Sequence, residues 1–205
     1  CNVRGDFQVD LMMYDLPKDV QQVFHTSKAE GCPEAARAMT RESGLLALSD
    51  AIGGEVDDYC FAPCGYSANI HAGEAYAMVH VTPQDGCSYA SFETNFGSTR
   101  QGQLEGSVED ALNDLVGRVL DVFRPQKLTL TLFMDQGAAK AVGGAPFAAA
   151  AARYRRRTYT STYFEQDYAA AIANYAGAPE PGKRQRVEGP EVGPRAEIEP
   201  SGQGG

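Results

Sequence analysis

Basic residues are scarce in these 205 residues: Lys and Arg number 18 against 27 acids, for a formal charge of -9. That balance argues against nucleic acid or an anionic membrane as the main partner and favours a cationic small molecule. No apolar run approaches the roughly 20 residues of a membrane span, and nothing at the N-terminus resembles a signal peptide, so no membrane partner and a cytoplasmic location are expected. Cysteines are few and odd in number (Cys1, Cys32, Cys60, Cys64, Cys87), which predicts free thiols rather than a disulfide framework. Their intervals with His71 and His80 match no familiar zinc pattern and there is no CxxC knuckle, so no metal is expected. No internal repeat is visible.

The chain has enough apolar residues for one sizeable core, with 43% hydrophobic residues including nine Phe and ten Tyr. From Asp6 to Tyr14 the residues alternate, Phe7, Val9, Leu11 and Met13 opposing Asp6, Gln8 and Asp10, as in a half-buried strand. Pro17 suits the first turn of a short helix to about Phe24, and a second helix is predicted over Pro33 to Ser43 with Gly44 at its C-cap. Strands are read at Cys87–Thr94, Lys127–Phe133 and Thr158–Phe164. Ser107 with Asp110 forms a variant capping box before a helix whose apolar stripe runs from Val108 to Phe123. Ala138–Ala152 is too rich in Ala and Gly to assign, and Tyr168–Tyr175 suits a strand or a helix. The fold class is therefore α+β, an antiparallel sheet with helices packed on it.

Residues 1–176 are read as one domain and 177–205 as a disordered tail, because the last 29 residues hold five Pro, seven Gly and no aromatic residue. Within that tail Lys183-Arg184-Gln185-Arg186 reads as a solvated charge run rather than a nuclear signal. Arg153 to Arg157 reads as a solvated strand edge.

The stretch Phe61-Ala62-Pro63-Cys64-Gly65-Tyr66-Ser67 is followed, thirteen residues after its serine, by His80 in Val79-His80-Val81-Thr82-Pro83. The midpoint of Ser67 and His80 falls between Gly73 and Glu74, in a turn-prone run. A simple antiparallel hairpin then sets Ser67 opposite His80 and pairs Tyr66 with Val81, Ala68 with Val79 and Ile70 with Ala77. One face of that hairpin is core, and the other carries a hydroxyl beside an imidazole. Alone, such a pair is as well explained by an ordinary hydrogen bond inside a sheet, since the GxSxG elbow of hydrolases is absent.

Those two motifs, followed by Ser88-Tyr89-Ala90-Ser91-Phe92-Glu93-Thr94-Asn95, stand in an order that resembles the eukaryotic S-adenosylmethionine decarboxylase family, in its C-terminal half. Asp6 to Phe24, Thr40-Arg41-Glu42-Ser43-Gly44 and Val122-Phe123-Arg124-Pro125 through Thr131-Leu132-Phe133 follow the same family in order, so the resemblance covers most of residues 5–175. Gly97 to Gly106 is an insertion relative to the common pattern. The chain starts at Cys1 and runs almost at once into strand-like sequence, which is expected of a fragment.

The resemblance implies one half of an αββα sandwich and a pyruvoyl group made by self-cleavage at a serine of the N-terminal half, a partner of this chain. The carbonyl of that group forms a Schiff base with the amine of S-adenosylmethionine and takes up the electrons when CO2 leaves, a step that commits the substrate to spermidine and spermine synthesis. By matching motif positions, Ser67 and His80 resemble the pair that assists self-processing, His80 as base and Ser67 as a stabilising hydroxyl. Phe61 resembles the residue that stacks on adenine, a role preferred here to that of an ordinary core Phe. Gln84 falls where the family has a Glu that grips the ribose hydroxyls; an amide accepts one such hydrogen bond without charge assistance. Asp6, Asp10 and Glu93 match acidic positions that hold putrescine or a buried charged network, with Asp10 one methylene shorter than the usual Glu. Phe133 matches a residue near them and reads equally as plain core. A homodimer is a further expected partner. No Glu-Ser-Ser occurs in the chain, so this chain alone is expected to be inactive. The alternative is a catalytically degenerate paralogue that regulates an active decarboxylase by hetero-oligomerisation.

Overall fold

A computed structural model describes residues 6–95, 107–142, 147–164 and 167–177. The expected insertion at Gly97–Gly106 and the tail beyond Gly177 lie outside the described residues. Eight strands form one antiparallel sheet: β1 (Phe7–Tyr14), β2 (Glu55–Cys60), β3 (Tyr66–Ala72), β4 (Ala75–Thr82), β5 (Tyr89–Thr94), β6 (Lys127–Asp135), β7 (Arg155–Phe164) and β8 (Tyr168–Ala176). Their order across the sheet is β2-β3-β4-β5-β1-β6-β8-β7. Helices α1 (Lys18–Val23), α2 (Pro33–Glu42), α3 (Leu45–Ile52), α4 (Val108–Phe123), α5 (Gln136–Val142) and α6 (Ala148–Arg153) complete the elements of the described residues. None is long and apolar enough to cross a membrane.

Alternation decides which face is covered. Phe7, Val9, Leu11 and Met13 of β1 are buried, as are Leu128, Leu130 and Leu132 of β6, and all join one core with Leu112, Leu115, Val119 and Phe123 of α4. Their strand neighbours (Gln8, Asp10 and Met12; Thr129, Thr131 and Phe133) stand on the other face, half-buried or exposed. The helices thus cover one face and leave the other open. At the centre of the covered face the Phe24 ring lies 5.4 Å from Tyr66 and 6.3 Å from Phe123, tying the end of α1 to β3 and α4.

Several elements differ from the sequence reading. Pro17 caps α1 in extended geometry rather than entering its first turn. The eight-residue α3 and the acidic edge strand β2 carry too little periodicity to be read, and both are present. The unassigned Ala-rich stretch contains α5 and α6, while Tyr168–Ala176 is a strand despite its alanines. Ala is the best helix former, but β8 satisfies its backbone on both sides, against β6 and β7. Arg153 belongs to α6 rather than to a strand edge. Its guanidinium donates to the Gly117 carbonyl at 3.1 Å and grips Asp121 at 2.5 and 3.2 Å. The Ser107–Asp110 capping box at the start of α4 forms in both directions.

Leu130 is fully buried in a central strand. Leu130→Ala should lower stability by about 2–5 kcal/mol, measured by denaturant unfolding, and a loss below about 1 kcal/mol would contradict a packed core at this position.

Candidate functional site

The open face can be built row by row from the strand registers. Ser67 is paired with His80 and His80 with Ser91, and on the far side of Ser67 stands Tyr59 of β2. Ser91 continues to Met12 of β1 and Thr129 of β6. The adjacent row runs Asp57, Asn69, Met78, Glu93, Asp10, Thr131. The hairpin register is the one expected from the turn position, with Tyr66 against Val81, Ala68 against Val79 and Ile70 against Ala77, all buried.

Ser67 Oγ and His80 Nδ1 are 2.8 Å apart. With the ring proton on Nδ1 the imidazole donates to Ser67 and leaves Nε2 as a free base; with the proton on Nε2 the hydroxyl donates to Nδ1. His80 is exposed on the open face, so that second nitrogen is accessible.

Two carboxylates meet in the next row. Asp10 and Glu93 are directly opposed on β1 and β5, an arrangement that like charges disfavour. Burial pushes the Asp10 carboxyl above its ordinary range, a hydrogen bond from Gln8 Nε2 at 3.2 Å opposes that, and Glu93 adds to it. The Tyr76 hydroxyl donates to Glu93 at 3.0 Å. Its own pKa is pushed up to about 12, first by burial and then by Glu93, Asp10 and Asp6. Tyr76 and Gln8 are members of this cluster that the sequence reading left out. Both lie on the outward parity of strands already assigned, which is the signal that identifies them.

The other expected residues separate into two ends. Asp6 and Phe133 line a hollow of about 300 Å³ together with Gln8, Tyr76, Asn95 and Tyr168. Phe133 is 42% exposed and stacks on Tyr168 at 5.2 Å, so the plain-core reading of it is incorrect. It follows Leu132 on β6 and therefore faces outward. Phe61 and Gln84 lie at the opposite end of the face, just past the ends of β2 and β4. Phe61 is 39% exposed, which likewise corrects the core alternative for it. Gln84 is exposed, and its amide oxygen has the Cys87 thiol at 3.7 Å. Cys32, Cys60, Cys64 and Cys87 are free thiols.

A model of the family described as adenosylmethionine decarboxylase matches residues 2–176. The chain belongs to that family. It is 32% identical over 172 residues to an S-adenosylmethionine decarboxylase proenzyme of Dictyostelium discoideum, a match covering 84% of this chain and 41% of the relative. A proenzyme of the same name from Hordeum chilense is 38% identical over 137 residues, covering 66% of this chain and 32% of the relative. The chain thus spans less than half the length of these curated relatives. The crystal structure of the Trypanosoma brucei AdoMetDC-delta26 monomer shares the fold with a TM-score of 0.66 at 24% identity, covering 85% of this chain and 66% of that one. Family membership and fold agree with the resemblance seen in the motifs around Ser67 and His80.

The raised Asp10 pKa fixes the sign of a pH effect. The folded state holds the proton more tightly than the unfolded chain, so ionised Asp10 costs stability once the pH rises through its folded pKa, and below the unfolded value near 3.8 the cost vanishes. Asp10→Asn should therefore raise the melting temperature at pH 7 and leave it unchanged near pH 3. A variant that is less stable at pH 7 would mean that the charge is compensated.

Proposed function

We propose that this chain is the Ser/His-bearing part of a pyruvoyl-dependent S-adenosylmethionine decarboxylase of polyamine biosynthesis, acting in the cytoplasm, whose pyruvoyl serine lies in an N-terminal half outside these residues. The 2.8 Å contact between Ser67 and His80, on a face that the helices leave open, is the observation that carries this reading. The face fits such a partner. It presents an aromatic ring, a hydroxyl and an imidazole in the order of the family motif, and none of the 205 residues lies in a Glu-Ser-Ser context. When bound, the pyruvoyl group supplies the electrophile and electron sink of decarboxylation.

The residues of this chain have distinct tasks. During self-processing His80 accepts a proton at Nε2 while Nδ1–H donates to Ser67, which fixes the ring tautomer. Ser67 supplies a hydroxyl that steadies developing charge on the neighbouring segment. Phe61 offers its exposed face to adenine, and the Gln84 amide oxygen accepts from a ribose hydroxyl. Asp10, Glu93 and Asp6 attract a cation to the centre of the face. A diamine such as putrescine fits their charge, because two opposed carboxylates on a face due to be covered need positive charge nearby.

In the protein that carries the upstream half, His80→Ala should leave the precursor uncleaved on a denaturing gel, with normal cleavage excluding His80 from the role of base. The regulatory alternative draws its support from Gln84, which removes a carboxylate from the ribose position. It predicts no cleavage even with His80 intact. The isolated chain should release no CO2 from carboxyl-labelled S-adenosylmethionine, and detectable release would contradict the assignment of the electrophile to another segment.

A further inference from the structure

Tyr59 faces outward near the end of β2, directly opposite Ser67. Its ring meets Phe61 at a centroid distance of 4.9 Å and a tilt of 59°, within the edge-to-face geometry that aromatic pairs prefer. The two rings are 43% and 39% exposed, so the pair is not part of the core.

Each ring is also backed by a glycine. Beside Phe61 stands Gly65, at φ +124, where an added Cβ would lie 3.2 Å from the Phe61 Cβ. Beneath Tyr59 stands Gly31, at φ +73, where a Cβ would lie 3.1 Å from both Cε2 and Oη of the tyrosine. The chain around Gly31 is itself anchored to the Phe61 loop. Gly31 N–H donates to the Cys60 carbonyl, Thr26 N–H to the Pro63 carbonyl and Gly65 N–H to the Phe24 carbonyl, each at 2.9 Å. Phe61 N–H closes the loop on the Gly65 carbonyl at 3.0 Å. Residues 24–31 therefore form a strap that holds the backbone on both sides of Phe61, and Tyr59 stands between Gly31 of that strap and the Phe61 ring.

An exposed phenylalanine past the end of a strand has several open rotamers, and a ligand that stacks on it must first select one. We propose that Tyr59 is a positioning residue, which holds the Phe61 ring in the orientation that stacks on the adenine of the substrate. This rests on the reading of Phe61 as the adenine platform.

The test uses the full, self-processed protein with Tyr59→Ala, Tyr59→Leu, Tyr59→Phe and Phe61→Ala. Steady-state kinetics are measured together with calorimetric binding of 5′-methylthioadenosine, an adenosine probe that cannot react. Tyr59→Ala and Tyr59→Leu should each raise KM and weaken the probe by roughly two- to tenfold, the range that one aromatic pair supports. In both, kcat, self-cleavage and melting temperature should stay near wild type, and Tyr59→Phe, which keeps the ring, should behave as wild type throughout. If Phe61→Ala weakens the probe while the Tyr59 variants do not, the positioning role is overturned and the Phe61 reading stands. If Phe61→Ala binds the probe normally, both fall. Loss of self-cleavage or of melting temperature in the Tyr59 variants would assign Tyr59 to the scaffold and also overturn the proposal.

Discussion

Burial of Tyr66 is the constraint on which the open face depends. Its ring packs against Phe24, and its hydroxyl meets Thr40 Oγ1 at 2.7 Å, with Thr40 also 2.5 Å from Asp58. Burial and the nearby Asp58 charge raise the phenol pKa, so the group stays neutral. Side chains alternate along a strand, so committing Tyr66 to the core commits Ser67 to the other face. A slip of one residue would put the phenol into solvent and the serine into the helices. The slip would also break the buried hydroxyl contact between Thr40 and Tyr66, which adds to its cost.

The same alternation assembles the strand-borne residues of the face. Asp10 and Glu93 come together because β1 and β5 are neighbours in the sheet although some 80 residues separate them in the chain. Their opposition and the raised Asp10 pKa identify a place where the fold accepts an electrostatic cost. The Tyr76 phenol on a third strand is pushed up by burial first and then by Glu93, Asp10 and Asp6.

How much of this was readable from sequence depends on how many signals agreed at each element. The β3–β4 register was legible because alternation, the Gly73 turn and the Ser67–His80 midpoint all specify the same pairing. The α4 helix was legible because a capping box and an apolar stripe coincide. By contrast β2 reads Glu-Val-Asp-Asp-Tyr-Cys, an edge strand whose acids mask its period, so Tyr59 was overlooked. The β8 segment is dominated by alanine, whose intrinsic preference is overridden only by partners on both sides, which one segment cannot reveal. For Phe133 core and surface read equally, whereas for Phe61 the ligand role is the preferred one. Phe133 could have been resolved, since Leu128, Leu130 and Leu132 already fix the parity of β6.

The strap from Phe24 to Gly31 holds the Phe61 loop through main-chain donors and acceptors alone. Amide-to-carbonyl bonds are indifferent to what each residue carries beyond its Cβ. Apart from Phe24, whose ring is held in the core, and the crowded glycine, this stretch is free to exchange side chains over evolutionary time, and its rate of divergence should therefore be a poor guide to how much the neighbouring aromatic platform relies on it.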